Sequence, residues 1–212
     1  MIITVASYKG GVGKTTTAIH LATYLQTVAP TLLLDGDDTR NATAWSENGK
    51  GFGFRIADLN SAALLAPQFT HVVIDTGQRP NDADLKALAE GCNLLVVPAV
   101  PSGIDTVGLV QTVRALRECN ANYRVLLTKV PPPPEQEGQQ LRAQLTGLNI
   151  PLFAAEIPRL KAFDRAFHAG VHVGDVKGDP NAGRAWEAYQ TAGKETVQSW
   201  RKQASTQKLS MR

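Results

Sequence analysis

The chain has 212 residues, of which 43% are hydrophobic and 19% charged, and a formal net charge of +3. That length can bury one full-sized core, so a single domain over residues 1–203 is expected, followed by a disordered basic tail over 204–212. The longest apolar runs, such as Leu94–Val97, are too short to cross a bilayer, and Met1 leads straight into Ile2-Ile3-Thr4-Val5 with no basic region or cleavage site; this argues against secreted and membrane-spanning classes and for the cytoplasm. Ile2–Ser7 is an apolar, β-branched run, followed by a glycine-rich turn and then by Thr15–Ala29, whose Ile19, Leu21, Ala22 and Leu25 recur at helical spacing. Further strands are predicted at Thr31–Leu34, His71–Asp75, Asn93–Val97, Arg124–Lys129 and Leu152–Ala155. Helices are predicted around Leu85–Ala89, Thr106–Arg117 and Gln136–Leu145. Gly49–Gly53 marks a mobile turn, and Pro131–Pro134 a surface loop after the fifth predicted strand. Strands apolar almost throughout, separated by helices, imply a mostly parallel sheet covered on both faces, hence a doubly wound α/β fold flanked by helices.

The segment Ser7-Tyr8-Lys9-Gly10-Gly11-Val12-Gly13-Lys14-Thr15-Thr16 stands between the first strand and the first helix, where a phosphate cradle has to be. Gly10, Gly11 and Gly13 let the backbone curl with its N–H groups inward around Val12, and the helix beginning near Thr15 adds its positive dipole end. Lys14 can reach terminal phosphates, and the Thr15 hydroxyl can ligate Mg²⁺. The general P-loop pattern places a glycine where Tyr8 stands, so the match to that template is partial.

Residues Lys9 to Thr16 resemble the deviant Walker A box of the ParA/MinD family, in which an additional lysine precedes the glycines. The resemblance implies a P-loop NTPase fold, ATP and Mg²⁺ as cofactors, and a nucleotide-sandwich homodimer in which Lys9 reaches the phosphates held by the other subunit. A second cation delivered in trans is physically reasonable, because several phosphate charges favour it only when ATP is present.

Leu32-Leu33-Leu34-Asp35-Gly36-Asp37-Asp38 puts carboxylates at the C-terminal end of the second strand, the side where open parallel sheets bind ligands. With Trp45 at its spacing, Asp35-Gly36-Asp37 resembles the family's Asp-x-Asp switch. That implies Asp37 for positioning the attacking water, with Asp38 as the alternative because Asp38-Thr39 replaces the frequent Pro-Gln, and Asp35 in a supporting role near the nucleotide. Val72-Val73-Ile74-Asp75 has the form of a Walker B strand, assigning Asp75 to magnesium. Gly77-Gln78-Arg79-Pro80 reads as a second switch loop. Pro158, in a segment resembling the one near the adenine base, is a base contact, and Thr128-Lys129 at the end of the fifth strand either join it there or are a simple strand terminus.

Residues 1–150 hold 12 Lys/Arg against 13 Asp/Glu, and 151–212 hold 10 against 6, so the basic excess lies in the last third. Lys161, Arg165, Lys177, Arg184, Lys194, Arg201 and Lys202 recur there through segments that look helical, with Ala185, Tyr189 and Ala192 on an inner face. The resemblance implies that these cations bind nonspecific double-stranded DNA in the dimer, placing the chain on the nucleoid, and that an adaptor protein stimulates hydrolysis to position cargo such as a plasmid or carboxysome. A MinD-like membrane role has little support, since the tail offers only Leu209 and Met211 as bulky apolar groups. A metabolic ligase of the dethiobiotin synthetase type shares the box and is the rival from another class. Cys92, Cys119 and the four histidines show no metal-ligand spacing.

Overall fold

The computed structural model describes residues 1–77, 80–102 and 106–210, and their side chains except at 106, 107 and 206–210. Its strands are β1 (Ile2–Val5), β2 (Thr31–Gly36), β3 (Arg55–Asp58), β4 (His71–Thr76), β5 (Leu94–Ala99), β6 (Tyr123–Val130) and β7 (Leu152–Pro158). All pair in parallel in one sheet of order β3-β2-β4-β1-β5-β6-β7. The helices are α1 (Lys14–Gln26), α2 (Asn41–Glu47), α3 (Ala62–Leu65), α4 (Asp82–Glu90), α5 (Thr106–Glu118), α6 (Glu137–Gly147), α7 (Ala162–Ala169) and α8 (Ala182–Ser210).

Both faces of the central strands are apolar because both are covered. Ile3, Val5, Leu33, Val73 and Val96 turn to the face packed by α1, α2, α7 and α8, through Ile19, Leu25, Trp45, Ala166 and Tyr189. Their chain neighbours Leu95, Val97, Val125 and Leu127 turn to the other face, against Leu85, Leu116 and Leu141 of α4, α5 and α6. A smaller cluster of Leu32, Leu34, Leu65 and Val72 closes the β2 end under α3. The alternation is the two-residue period of a strand carried through a three-layer sandwich.

One feature differs from the sequence reading. The sheet gains β3 at its edge, where Arg55-Ile56-Ala57-Asp58 pairs only with β2 and so needs no continuous apolar run. The α8 backbone is helical over Ala182–Ser210. Gln203–Ser210 contains neither glycine nor proline, so nothing stops a helix already seeded by packing. At the other edge, the Glu195 carboxylate of α8 accepts the N–H groups of Ala154 and Ala155, both at 2.8 Å, which occupies β7 donors that would invite another strand.

Candidate functional site

β1 ends between β4 and β5, from which the chain winds outward in opposite directions, and the loop after it opens at the C-terminal edge of the sheet. Gly11 and Gly13 take left-handed φ values of 75° and 89°, a region a β-carbon penalises. Gly13 is the N-cap of α1 and offers no side-chain cap, and no acidic residue stands in the first turn. The first amides of α1 therefore point outward with the helix dipole behind them, which is an anion site by construction. Loop carbonyls are tied down from β6: the Thr128 hydroxyl donates to Val12 O at 2.8 Å, and Lys129 Nζ donates to Gly11 O at 2.7 Å. Lys14 is buried, with Nζ 3.5 Å from Lys9 O; burial draws its pKa down against the opposing pull of Asp75 and Asp37.

A cavity of about 760 Å³ opens over this loop. Of the residues singled out from the sequence, Gly11, Gly13, Lys14, Thr15, Thr16, Asp37, Thr128 and Pro158 line it together. Lys9, Gly10, Val12, Asp35 and Asp75 do not. Val12 is buried beneath the loop, and Lys9 has its β-carbon against the start of α5 near Gly108. Asp38 is exposed while Asp37 lines the cavity. Asp37 is held by Thr39, whose N–H and hydroxyl donate to its Oδ1 at 2.9 and 2.6 Å.

Asp58, Asp35 and Asp75 stand side by side across β3, β2 and β4. Asp35 is fully engaged within the chain: the N–H and hydroxyl of Thr43 donate to its Oδ2 at 2.9 and 2.6 Å, which ties β2 to α2. Arg40 lies between Asp35 and Asp58 and pairs with the latter. Asp75 is completely buried, and neither of its carboxylate oxygens has a hydrogen-bond partner of good geometry. Burial pushes its pKa up to about 7; the Thr15 hydroxyl works against that rise, and the Asp35 charge adds to it.

Residues 3–173 match the family model described as the CobQ/CobB/MinD/ParA nucleotide binding domain. The chain belongs to this family. It is 35% identical over 208 residues to the maintenance of carboxysome distribution protein A of Gloeobacter kilaueensis, covering 95% of this chain and 96% of that protein. Its fold is similar to that of Cyanothece McdA in a complex with ATP, with a TM-score of 0.67, 18% identity and coverage of 90% of this chain and 95% of that one. It is likewise similar to a plasmid partition protein of Borrelia burgdorferi bound to AMPPNP, with a TM-score of 0.72, 18% identity and coverage of 93% and 98%.

As a member of the CobQ/CobB/MinD/ParA family, the chain has a cavity whose residues fit a magnesium nucleotide. The uncapped first turn of α1 suits a phosphate chain, and the orphaned Asp75 oxygens beside Thr15 suit a cation. Among the described residues no group of three His, Cys, Asp or Glu could hold a metal by itself. A magnesium ion here would therefore rely on phosphate oxygens together with Thr15 and Asp75, as this poorly dehydrating ion usually does.

The basic residues fall into separate places. Lys161 lines the cavity. Arg165 is committed to Asp179 at 2.9 Å, and Lys177 lies in the turn between α7 and α8. Arg184, Lys194, Arg201 and Lys202 are exposed together on the outer side of α8, opposite Ala185, Tyr189 and Ala192. Gln78 and Arg79 of the second switch loop lie outside the described residues. Sequence reasoning missed the aromatic wall made by Phe163 and Phe167 with Trp45, whose Nε1–H donates to Ala166 O and Val171 O at 3.1 and 3.0 Å. The usable signal was the four-residue spacing of the two phenylalanines just after Pro158. No described helix is long and apolar enough to cross a membrane.

Proposed function

We propose that this chain is a ParA-type ATPase that binds ATP with Mg²⁺, closes into a two-fold dimer and binds double-stranded DNA without sequence preference. Hydrolysis stimulated by an adaptor protein releases it, and the cycle positions a cargo such as a plasmid or a carboxysome. One observation carries this reading: the phosphate-loop residues Gly11, Gly13, Lys14, Thr15 and Thr16 and the water-holding candidate Asp37 share one cavity, in a chain that matches a carboxysome distribution protein along 95% of its length.

The α1 amides and Lys14 would bind the phosphates at the cavity, while Thr15 on its wall and Asp75 buried behind it would hold a magnesium ion, which would neutralise phosphate charge. Asp37 has one oxygen fixed by Thr39, leaving Oδ2 to orient a water and accept its proton. Lys9, just ahead of the loop, reaches the phosphates bound by the partner. The outer side of α8 is doubled across a two-fold axis, so DNA binding follows dimerisation and weakens with salt.

The test is DNA retention and ATP turnover with ATP, ADP or no nucleotide. Retention restricted to ATP and turnover near background without an adaptor are expected. Retention that ignores nucleotide overturns the cycle, and a covalent product from a small carboxylated substrate would make the chain a ligase.

A further inference from the structure

Among the described residues, four that are not glycine have a left-handed backbone. Asn120 and Asn149 follow α5 and α6, where asparagine is well suited. Arg40 precedes α2. Lys129, at φ 51°, lies inside strand β6, where its conformation accompanies a register shift between Leu127 and Val130 against β7. Lysine has no local side-chain bond to ease that conformation, and glycine would adopt it at no steric cost. A strained cation lining the ligand cavity calls for a reason in what its side chain does.

Its ammonium crosses to the phosphate loop and donates to Gly11 O at 2.7 Å, and the preceding Thr128 hydroxyl donates to Val12 O at 2.8 Å and to Ala99 O at 3.3 Å. In planar trans peptides the carbonyl and the next N–H point in opposite directions. Holding the Gly11 and Val12 carbonyls toward β6 therefore fixes the Val12 and Gly13 amides as a pair facing away from it. With glycine at 10, 11 and 13 the loop has the greatest backbone freedom a chain can have, and ordering it at the moment of binding would lower affinity.

We infer that Lys129 is a positioning residue for nucleotide binding, holding the phosphate loop in shape from β6 through the Gly11 carbonyl, with Thr128 as its neighbour on Val12. This rests on the nucleotide reading of the cavity. It also gives Thr128 a place under the loop as well as on the cavity wall.

The strain separates this role from a merely structural one. Lys129→Gly removes the side chain and relieves the backbone, so stability and binding should part company. The experiment measures a fluorescent ATP analogue with Mg²⁺ and the thermal midpoint without nucleotide, for wild type, Lys129→Gly and Lys129→Arg. The glycine variant should keep or raise the midpoint yet bind about tenfold more weakly, the scale of one lost charge-assisted hydrogen bond. The arginine variant, which can still donate to Gly11 O, should recover most of the affinity. Wild-type affinity in Lys129→Gly, or a parallel fall of midpoint and affinity with no recovery by arginine, overturns the inference while leaving the nucleotide site standing. A wild type that binds no ATP overturns both.

Discussion

Asp35 and Asp75 are register partners on adjacent strands, but only Asp35 has short, well-aligned hydrogen bonds on its carboxylate. The Thr43 N–H and hydroxyl satisfy Asp35, whereas Asp75 is buried with no hydrogen bond of good geometry, and burial outweighs Thr15 and Lys14 to raise its pKa to about 7. A raised carboxylate pKa means that the ligand-free fold binds this proton more tightly than the unfolded chain does. Its contribution to stability is complete below about 4 and is lost as pH rises through about 7. Magnesium needs the ionised form, so Mg²⁺-dependent nucleotide affinity should climb up to about tenfold per unit between pH 6 and 7 and level off by pH 8. Asp75→Asn should abolish that pH dependence and stabilise the nucleotide-free chain at pH 8 by about 2 kcal/mol. Magnesium titrations at pH 6, 7 and 8, read by a fluorescent nucleotide, check both; equal slopes in wild type and variant would remove Asp75 from the metal site.

His20 contributes a second pH dependence of different origin. It is completely buried, with Nδ1 2.6 Å from Thr16 O and Nε2 accepting the Val173 N–H at 2.9 Å, and it stacks on Tyr189 with ring centroids 4.6 Å apart. Both ring nitrogens are satisfied only when the ring is neutral, and burial lowers its pKa to about 3. The folded chain thus binds fewer protons than the unfolded one, and stability falls as pH drops below about 6.5, by about 1.4 kcal/mol per unit at most. Because the Asp75 linkage runs the other way over the same range, the comparison is between chains: urea unfolding at pH 7 and 5 should show wild type losing about 2 kcal/mol relative to His20→Gln as pH falls, and an unchanged difference would assign the acid sensitivity elsewhere.

Gly193 lets α8 lie against α1. A β-carbon at this position would overlap the Tyr24 ring, which is partly buried against the core. Gly193→Ala should therefore destabilise the fold by about 1–3 kcal/mol, although alanine is the better helix former. Chemical denaturation checks this, and restoration by Tyr24→Ser in the same chain would locate the overlap.

The α8 surface can be told apart from the rest of the basic third. Arg201→Ala with Lys202→Ala should weaken DNA binding and reduce the slope of log affinity against log salt by about 2. Arg165→Ala should leave that slope alone and lower stability instead, because it strands the nearly buried Asp179 carboxylate. Salt titrations of both variants with ATP distinguish them, and a change of slope in Arg165→Ala would move the DNA surface toward α7.

The first strand, the glycine loop and α1 were legible because three local signals coincide within Ile2–Ala29, and Asp75 was legible as the end of an apolar strand. β3 was not: an edge strand buries little, and Arg55-Ile56-Ala57-Asp58 carries no periodic signature. Nor was the tether from Lys129 to Gly11 legible, since it joins residues 118 positions apart through a backbone conformation that nothing in Thr128-Lys129-Val130 announces. The bond from Trp45 to Ala166 spans 121 positions, so the spacing of Phe163 and Phe167 showed a helix face without showing that it walls a cavity. For Asp37 and Asp38 the sequence left two choices; Asp37 lines the cavity and Asp38 faces solvent.

The most direct measurement is the sedimenting mass of the chain with Mg²⁺ and a nonhydrolysable ATP analogue, for wild type and Lys9→Ala. Wild type should double in mass with the analogue and return to a single chain with ADP, while Lys9→Ala should bind the analogue and stay single. A wild type that remains a single chain with the analogue bound, or a Lys9→Ala variant that doubles as readily, contradicts a dimer closed by a lysine from each subunit.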